Sequence, residues 1–453
     1  MSGALQAVLQ NLRSFSTTWF TRVTPSYPSA VDGGSGGIAV DSSSNIYFGG
    51  YGSFTNSGYN SLFSIANTGA TINWAKFYLK SGSSAGAGLW AVYINTAATQ
   101  LWASVIGDDE IYWFKFDLTT GALISQLRET TLSGTAYGGP MTEDSSGNQY
   151  LTGTAVVSPR RSGVVKFNSS DVAQWGYSFY NTTNYKGSYD STRFNDILVD
   201  SSGNVYLAGE MSSQSFAGYG MVPGIIKLSS AGATTWARGL GTEADTGNAY
   251  KIIINSSGNL LVAYYMPANA GLFFSELDPA TGLYNGLKKV VDTSTNTSAT
   301  QNARITYNAT ASVFYFAYTN ATSGKIDIVK VDQGLTTATA CAIAFTGASG
   351  VFPITITSDN SFIYFLYRFD NTTTEVQEYY TLRLSTTMSA NVGLSGSWTG
   401  GSFVISAATG RIATHAKTLN PSLTLTKTSQ FATWTTGGMS ASTPATTITK
   451  TSI

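Results

Sequence analysis

The stretch Asp144–Gly153, DSSGNQYLTG, returns as Asp200–Gly209, DSSGNVYLAG, and with small changes as Asp41–Gly49, DSSSNIYFG. A fourth copy, Asn255–Ala263 (NSSGNLLVA), is related, and the same register finds Asn95 (NTAATQLWA), Asn308 (NATASVFYF) and Ser358 (SDNSFIYFL). The turn-opening residues stand at 41, 95, 144, 200, 255, 308 and 358, about fifty residues apart. A period of that size marks a repeat architecture, in which one unit cannot bury its own apolar face and needs its neighbours.

Each unit reads as four strands. A short apolar stretch, such as residues 37–40 or 196–199, leads into the Asp, Asn or Ser, whose side chain can bond the backbone two residues on and start a tight turn. Gly147, Gly203 and Gly258 suit the positive φ of such a turn. A second strand rich in Tyr, Val, Leu and Phe closes the hairpin. A third alternates apolar with charged residues, as in residues 114–117 (FKFD), 165–168 (VKFN), 226–229 (IKLS), 329–332 (VKVD) and 382–385 (LRLS). A fourth carries Trp74, Trp175 or Trp236, and Trp19 lies in a similar stretch, TTWFTRV.

Four strands per unit at this period predict an all-β chain, a β-propeller of four-stranded antiparallel blades. Seven units predict seven blades, with eight as the alternative. Residues 17–398 are assigned to the propeller, the strand around Trp19 serving as the outer strand of the last blade and closing the ring. Residues 1–16 form an N-terminal arm with a short helix, since Ala4, Leu5, Val8, Leu9 and Leu12 fall at helical spacing. Residues 399–453 form a C-terminal β extension or an eighth blade: Phe403–Thr414 reads as a hairpin and Phe431–Thr435 as a Trp strand.

The units resemble the bacterial β-propeller repeat of the SBBP type, which is distantly like NHL repeats. Its pattern runs D-x-x-G-N-φ-Y-φ-x-G, then φ-φ-K-φ-D, then a Trp strand. The resemblance spans about residues 17–390 and is closest in the units opening at Asp41, Asp144 and Asp200. It implies the fold and little about the partner.

Composition narrows the function. Only 11% of the 453 residues are charged, with 25 basic against 25 acidic, so the basic excess of a general nucleic-acid surface is absent. One cysteine, Cys341, excludes an intrachain disulfide, and one histidine, His415, leaves little for histidine chemistry. Cys341, in an apolar run, reads as a small core residue. No apolar run is long enough to insert in a membrane, and MSGALQAVLQNLRSF at the start lacks the basic opening of a secretory signal.

The repeated Asp residues read as turn residues rather than calcium ligands, because each string offers one carboxylate. Asp108, Asp109 and Glu110 read as a solvated turn. The recurring Lys115, Lys166, Lys227 and Lys330, with Arg383, read as a solvated blade face or inter-blade ion pairs, interrupted by Glu276. Tyr51, Tyr59, Tyr137, Tyr180, Tyr185 and Tyr219 lie in or near stretches of small polar residues and are the candidate binding face.

These readings point to a non-enzymatic binding or structural protein with no cofactor and no metal. The expected setting is a bacteriophage virion, in the tail or an appendage. Its partners would be other virion or surface proteins, further copies of the chain, or a host glycan. The alternatives are a secreted or cell-surface propeller that binds protein or glycan, and a propeller glycosidase or lyase.

Overall fold

The computed structural model describes the backbone of residues 19–25, 37–54, 57–66, 72–79, 88–107, 110–129, 135–156, 161–180, 192–211, 222–240, 247–266, 271–291, 304–320, 324–371, 377–398, 401–408, 411–414, 426–428, 434–436, 440–442 and 446–451. The expected helix in residues 3–14, with His415, Asp108 and Asp109, lies outside the described residues.

The described residues form seven antiparallel sheets, six of them with four strands in simple chain order before any addition. Their inner strands are Ile38–Val40, Gly88–Ile94, Thr135–Glu143, Arg193–Val199, Asn248–Ile254, Arg304–Asn308 and Ala348–Ser358. Each inner strand touches the next, and the last touches the first, so the sheets close into a propeller around an axis. The seventh sheet is completed from the other end of the chain. Trp19–Pro25 pairs with Gln377–Ser385, Trp19 opposite Arg383 and Val23 opposite Tyr379.

The core is divided into seven apolar wedges, each between two consecutive blades. This follows from the alternation within the strands. One face of every sheet packs on the blade before it and the other on the blade after it, so both faces are apolar.

The repeated stretch has one physical job. Asp200 Oδ1 accepts from the backbone N–H of Ser202 and Asn204, at 2.9 Å each, while Oδ2 accepts from Asn204 Nδ2 at 2.8 Å and the Tyr206 hydroxyl at 3.1 Å. Asp41 and Asp144 repeat the set with Tyr47 and Tyr150. Gly203 holds φ at +77°, the left-handed conformation that an L side chain resists. In the seventh unit the role falls to Asp359, which accepts from Ser361, Phe362 and Tyr364, and not to Ser358 as the repeat spacing predicts.

The fifth unit shows the logic by exception. Asn255 has one carbonyl oxygen, which accepts from Ser257 and Asn259 at 3.0 Å each. The missing second acceptor comes from Glu276, whose Oε1 takes Asn255 Nδ2 at 2.8 Å and Asn259 Nδ2 at 2.9 Å. Glu276 thus stands where other units have Lys because this turn lacks a carboxylate.

The lysines belong to the joints between blades. Lys115, buried, pairs with Asp171 of the next blade. Lys227 Nζ donates to the Pro279 carbonyl at 2.8 Å and Lys330 Nζ to that of Thr386 at 3.1 Å, again across a joint. Lys115 thus makes an inter-blade ion pair, whereas Lys227 and Lys330 cross the joint to backbone carbonyls, so neither a solvated face nor an ion pair describes those two.

Burial raises the Asp200 pKa, but the bonds from Asn204, Tyr206 and Ser202 outweigh it and hold the carboxyl below its usual range; Asp144 behaves the same way. A carboxyl depressed on folding stabilises the fold above its unfolded pKa, near 4, and loses that contribution as pH falls through the folded value. Asp200→Asn is expected to cost about 1–3 kcal/mol at pH 7, since its amide would face Asn204 Nδ2. The gap to wild type should narrow as pH falls from about 4, the unfolded value, through the lower value of the folded carboxyl. Melting curves of both proteins across pH check this, and a gap as wide at pH 3 as at pH 7 would refute it.

The C-terminal segment builds no eighth sheet among the described residues. Phe403 to Ala408 and Arg411–Thr414, expected to pair as a hairpin, join different sheets. Gly401–Ala408 lies along Ala338–Thr346 of the sixth sheet, and Arg411–Thr414 along Tyr284–Val291 of the fifth. Thr426–Thr428 then adds to the third sheet, Trp434–Thr436 to the second, Ser440–Ser442 to the first, and Thr446–Thr451 to Trp19–Pro25 in the seventh. The chain runs round the ring once forward as blades and once backward as a belt on their outer edges.

Candidate functional site

Strand direction gives the propeller two unlike ends. At one end lie the Asp and Asn turns and the turns between third and fourth strands, all short. At the other end the inner strands begin, and here consecutive strands stand further apart in sequence, as between Leu79 and Gly88, Tyr180 and Arg193, Met211 and Val222, or Val291 and Arg304. Longer connections on a rigid scaffold are where binding residues concentrate.

The inner strands carry repeated irregularities at this end. Pairing skips a residue at Trp90, Asn195, Tyr250 and Ile354, each five residues before its turn opener, and residues 139–140 interrupt the third blade at the same place. A bulge re-aims its side chain and bends the strand. Ile354 is buried in the wedge between the seventh and first blades, whereas Trp90 reaches over the axis.

The Trp90 contact there skips a blade. Arg193, in the fourth blade, lies with its guanidinium 5.1 Å from the ring centre of Trp90, in the second. Side chains from non-adjacent blades touch only by reaching over the channel. The third blade makes room with Gly138 and Gly139; a Cβ on Gly138 would sit 3.1 Å from Trp90 Cβ and closer still to Ser104 Oγ. Tyr137 packs edge-on against Trp90 at 5.1 Å.

The cluster continues round the axis. Asn195 Nδ2 donates to Asn248 Oδ1 and, at 2.9 Å, to the Ala249 carbonyl, while Asn248 Nδ2 donates to Glu210 Oε2 at 3.0 Å. Arg304 Nε donates to the Ile354 carbonyl. Lys251 Nζ is paired with Asp196 Oδ1 at 2.9 Å.

Electrostatics ties these groups together. Burial pushes the Tyr250 hydroxyl up to about 12, with Arg304 pulling it down and Glu210 pushing it up. Burial lowers the Arg304 guanidinium, Tyr250 raises it, and the charge of Arg193 lowers it further. At neutral pH Tyr250 is therefore a neutral donor beside two cations. The arrangement offers guanidinium, amide, indole and phenol donors around one axis, which suits an oxygen-rich acceptor.

Of the tyrosines expected to form the binding face, Tyr137 belongs to this cluster. Tyr51 and Tyr59 stand near the hairpin between the second and third strands of the first blade, and Tyr180 ends the outer strand of the third. By backbone position all three are at the same end as Tyr137. Tyr185 and Tyr219 lie outside the described residues. Trp90, Arg193, Asn195, Tyr250 and Arg304 escaped the sequence reading.

Other candidates have structural settings. Glu110 Oε2 accepts from the Tyr112 hydroxyl at 2.6 Å and lies 3.6 Å from Arg128. Cys341 is buried, its thiol pushed up to about 12 by burial and by Asp327. Among the described residues no cluster of three or more His, Cys, Asp or Glu could hold a metal ion, and no helix is long and apolar enough to cross a membrane.

No protein-family model and no curated protein matches the chain. Solved structures do. Sqt1 from Chaetomium thermophilum is 9% identical with a TM-score of 0.47, covering 80% of this chain and 98% of its own. The Dos1 propeller is 9% identical with a TM-score of 0.45, covering 82% and 96%. An oligogalacturonate lyase from Vibrio parahaemolyticus is 8% identical with a TM-score of 0.42, covering 82% and 100%. Likeness at this level concerns the fold alone. It also corrects one expectation: chains similar to this one in fold include an enzyme, so the assignment as a non-enzyme does not stand on the fold.

Proposed function

We propose that the chain is a binding and scaffolding propeller of a bacteriophage particle, in the tail or an appendage, which meets its partner through the end that carries the long connections. The observation that carries this reading is the belt. Its strands lie on the outer edges of six of the seven sheets among the described residues. Open sheet edges template association between copies, and covering them suits a protein held at high local density in an assembly. A surface with few charges and many hydroxyls and amides fits protein or glycan contact.

The test is peptide mass mapping of purified particles after a high-salt wash, with copy number per particle. A fixed copy number supports the reading. A chain found only free in the medium or on bacterial cells sinks it in favour of a secreted or cell-surface propeller.

A further inference from the structure

We propose that the axial cluster of Trp90, Tyr137, Arg193, Tyr250 and Arg304 is a binding site for the carboxylate of an acidic sugar. The proposal rests on the reading above only in taking the long-connection end as the one that meets a ligand.

Three observations converge on it. First, guanidinium groups come from two different blades at the same end: Arg193 lies over the Trp90 ring at 5.1 Å and Arg304 donates its Nε to the Ile354 carbonyl, and the charge of Arg193 disfavours that of Arg304. Lys251 is already neutralised by Asp196, and Glu210 is engaged by Asn248. Arg193 makes no ion pair among the described residues; its contact is the Trp90 ring. A carboxylate between the two guanidiniums would relieve their repulsion, and the planar fork of arginine matches that group.

Second, the Trp90 indole N–H is buried without an acceptor among the described residues. A buried donor left open is unusual, and an oxygen-rich ligand would satisfy it. Third, the site combines cations with aromatic rings and amides. A bare anion would use only the cations. A sugar acid would use all three, setting its C–H face on an aromatic ring and its hydroxyls on Asn195, Asn248 and Tyr250.

The experiment is calorimetric titration of the full chain with glucuronate and galacturonate, against glucose, galactose, acetate and inorganic phosphate. Expected are roughly millimolar binding of a uronate and at least about ten-fold weaker binding of the neutral sugars and the simple anions. Arg193→Gln should weaken the uronate at least about ten-fold, and Trp90→Phe, which keeps a ring and removes the N–H, by about three- to ten-fold. Melting curves confirm that both variants fold; should either fail, Arg193→Lys keeps the charge without the fork and must still lose affinity. No uronate binding, binding indifferent to Arg193, or phosphate and acetate binding as tightly would each overturn the proposal. The particle survey is independent: uronate binding by a chain absent from particles keeps this site and removes only the virion reading.

Discussion

A chain ended after Ala408 is expected to stay folded but to self-associate, and one ended after Trp398 to lose much of its stability as well. The first cut removes Arg411–Thr414, Thr426–Thr428, Trp434–Thr436, Ser440–Ser442 and Thr446–Thr451, and uncovers the outer edges of five sheets. Each bared edge presents a row of unpaired N–H and C=O groups. The second cut also removes Gly401–Ala408, whose Phe403 and Ile405 are buried in the wedge between the sixth and seventh blades. Their burial contributes roughly 1.5–3 kcal/mol each. Melting should therefore fall by roughly 5–15 °C for the shorter chain and by less for the longer one. Light scattering and melting curves read both effects. Two monodisperse truncations that melt with the full chain would show that the belt is ornament and would remove the observation on which the proposed function stands.

The belt also marks where sequence reasoning ended. Asp144, Gly147, Asn148 and Tyr150 recur because one turn needs one carboxylate, one left-handed residue and two donors, and that chemistry is periodic. Repetition therefore reveals it. The tail strands recur with nothing. They are three to eight residues long, and each is shaped by the edge it meets, so Phe403–Thr414 read alone imitates a hairpin. Strand pairing of this kind is decided by a distant partner, Ala338–Thr346 or Tyr284–Val291, which local pattern does not identify.

The axial cluster was hidden for the opposite reason. Attention to repeats selects positions that stay the same. Five residues before the turn opener, the units carry Trp90, Gly139, Asn195, Tyr250 and Ile354. Two residues further on, they carry Val92, Met141, Ile197, Ile252 and Ile356, uniformly apolar because that position enters the wedge. Ile354 is buried in the wedge between the seventh and first blades, but the change from indole to glycine to amide to phenol at the other four positions, beside a constant apolar column, is one the core does not dictate. That contrast is in the sequence, and it picks out the channel.

Trp236→Ala is expected to be among the costliest single substitutions, at about 3–5 kcal/mol. The outer-strand tryptophans Trp74, Trp175 and Trp236 fasten the first, third and fourth blades each to the next. Trp236 is 7% exposed, and its Nε1 donates to the Pro279 carbonyl of the fifth blade at 3.3 Å. Trp74 and Trp175 do the same toward Leu118 and Ser230, at 3.1 Å each. Each indole lies on a glycine of the neighbouring turn. At Gly282, where φ is +68°, an added Cβ would stand 2.8 Å from Trp236 Cδ2. Gly121 meets Trp74, and Gly232 meets Trp175, in the same way. The glycine thus answers two demands, a left-handed turn and a flat surface for the ring. A double-mutant cycle separates them. Gly282→Ala alone should suffer strain and a clash with the indole, whereas in the Trp236→Ala background the strain and the contact with the flexible Arg238 side chain remain, leaving a coupling of about 0.5–3 kcal/mol. Trp236→Phe, which keeps a ring and loses the N–H, should fall between wild type and alanine. Additive effects of Trp236→Ala and Gly282→Ala in chemical denaturation would show that the ring and the turn do not bear on each other, and the joint between blades would then have to be sought in the apolar wedges alone.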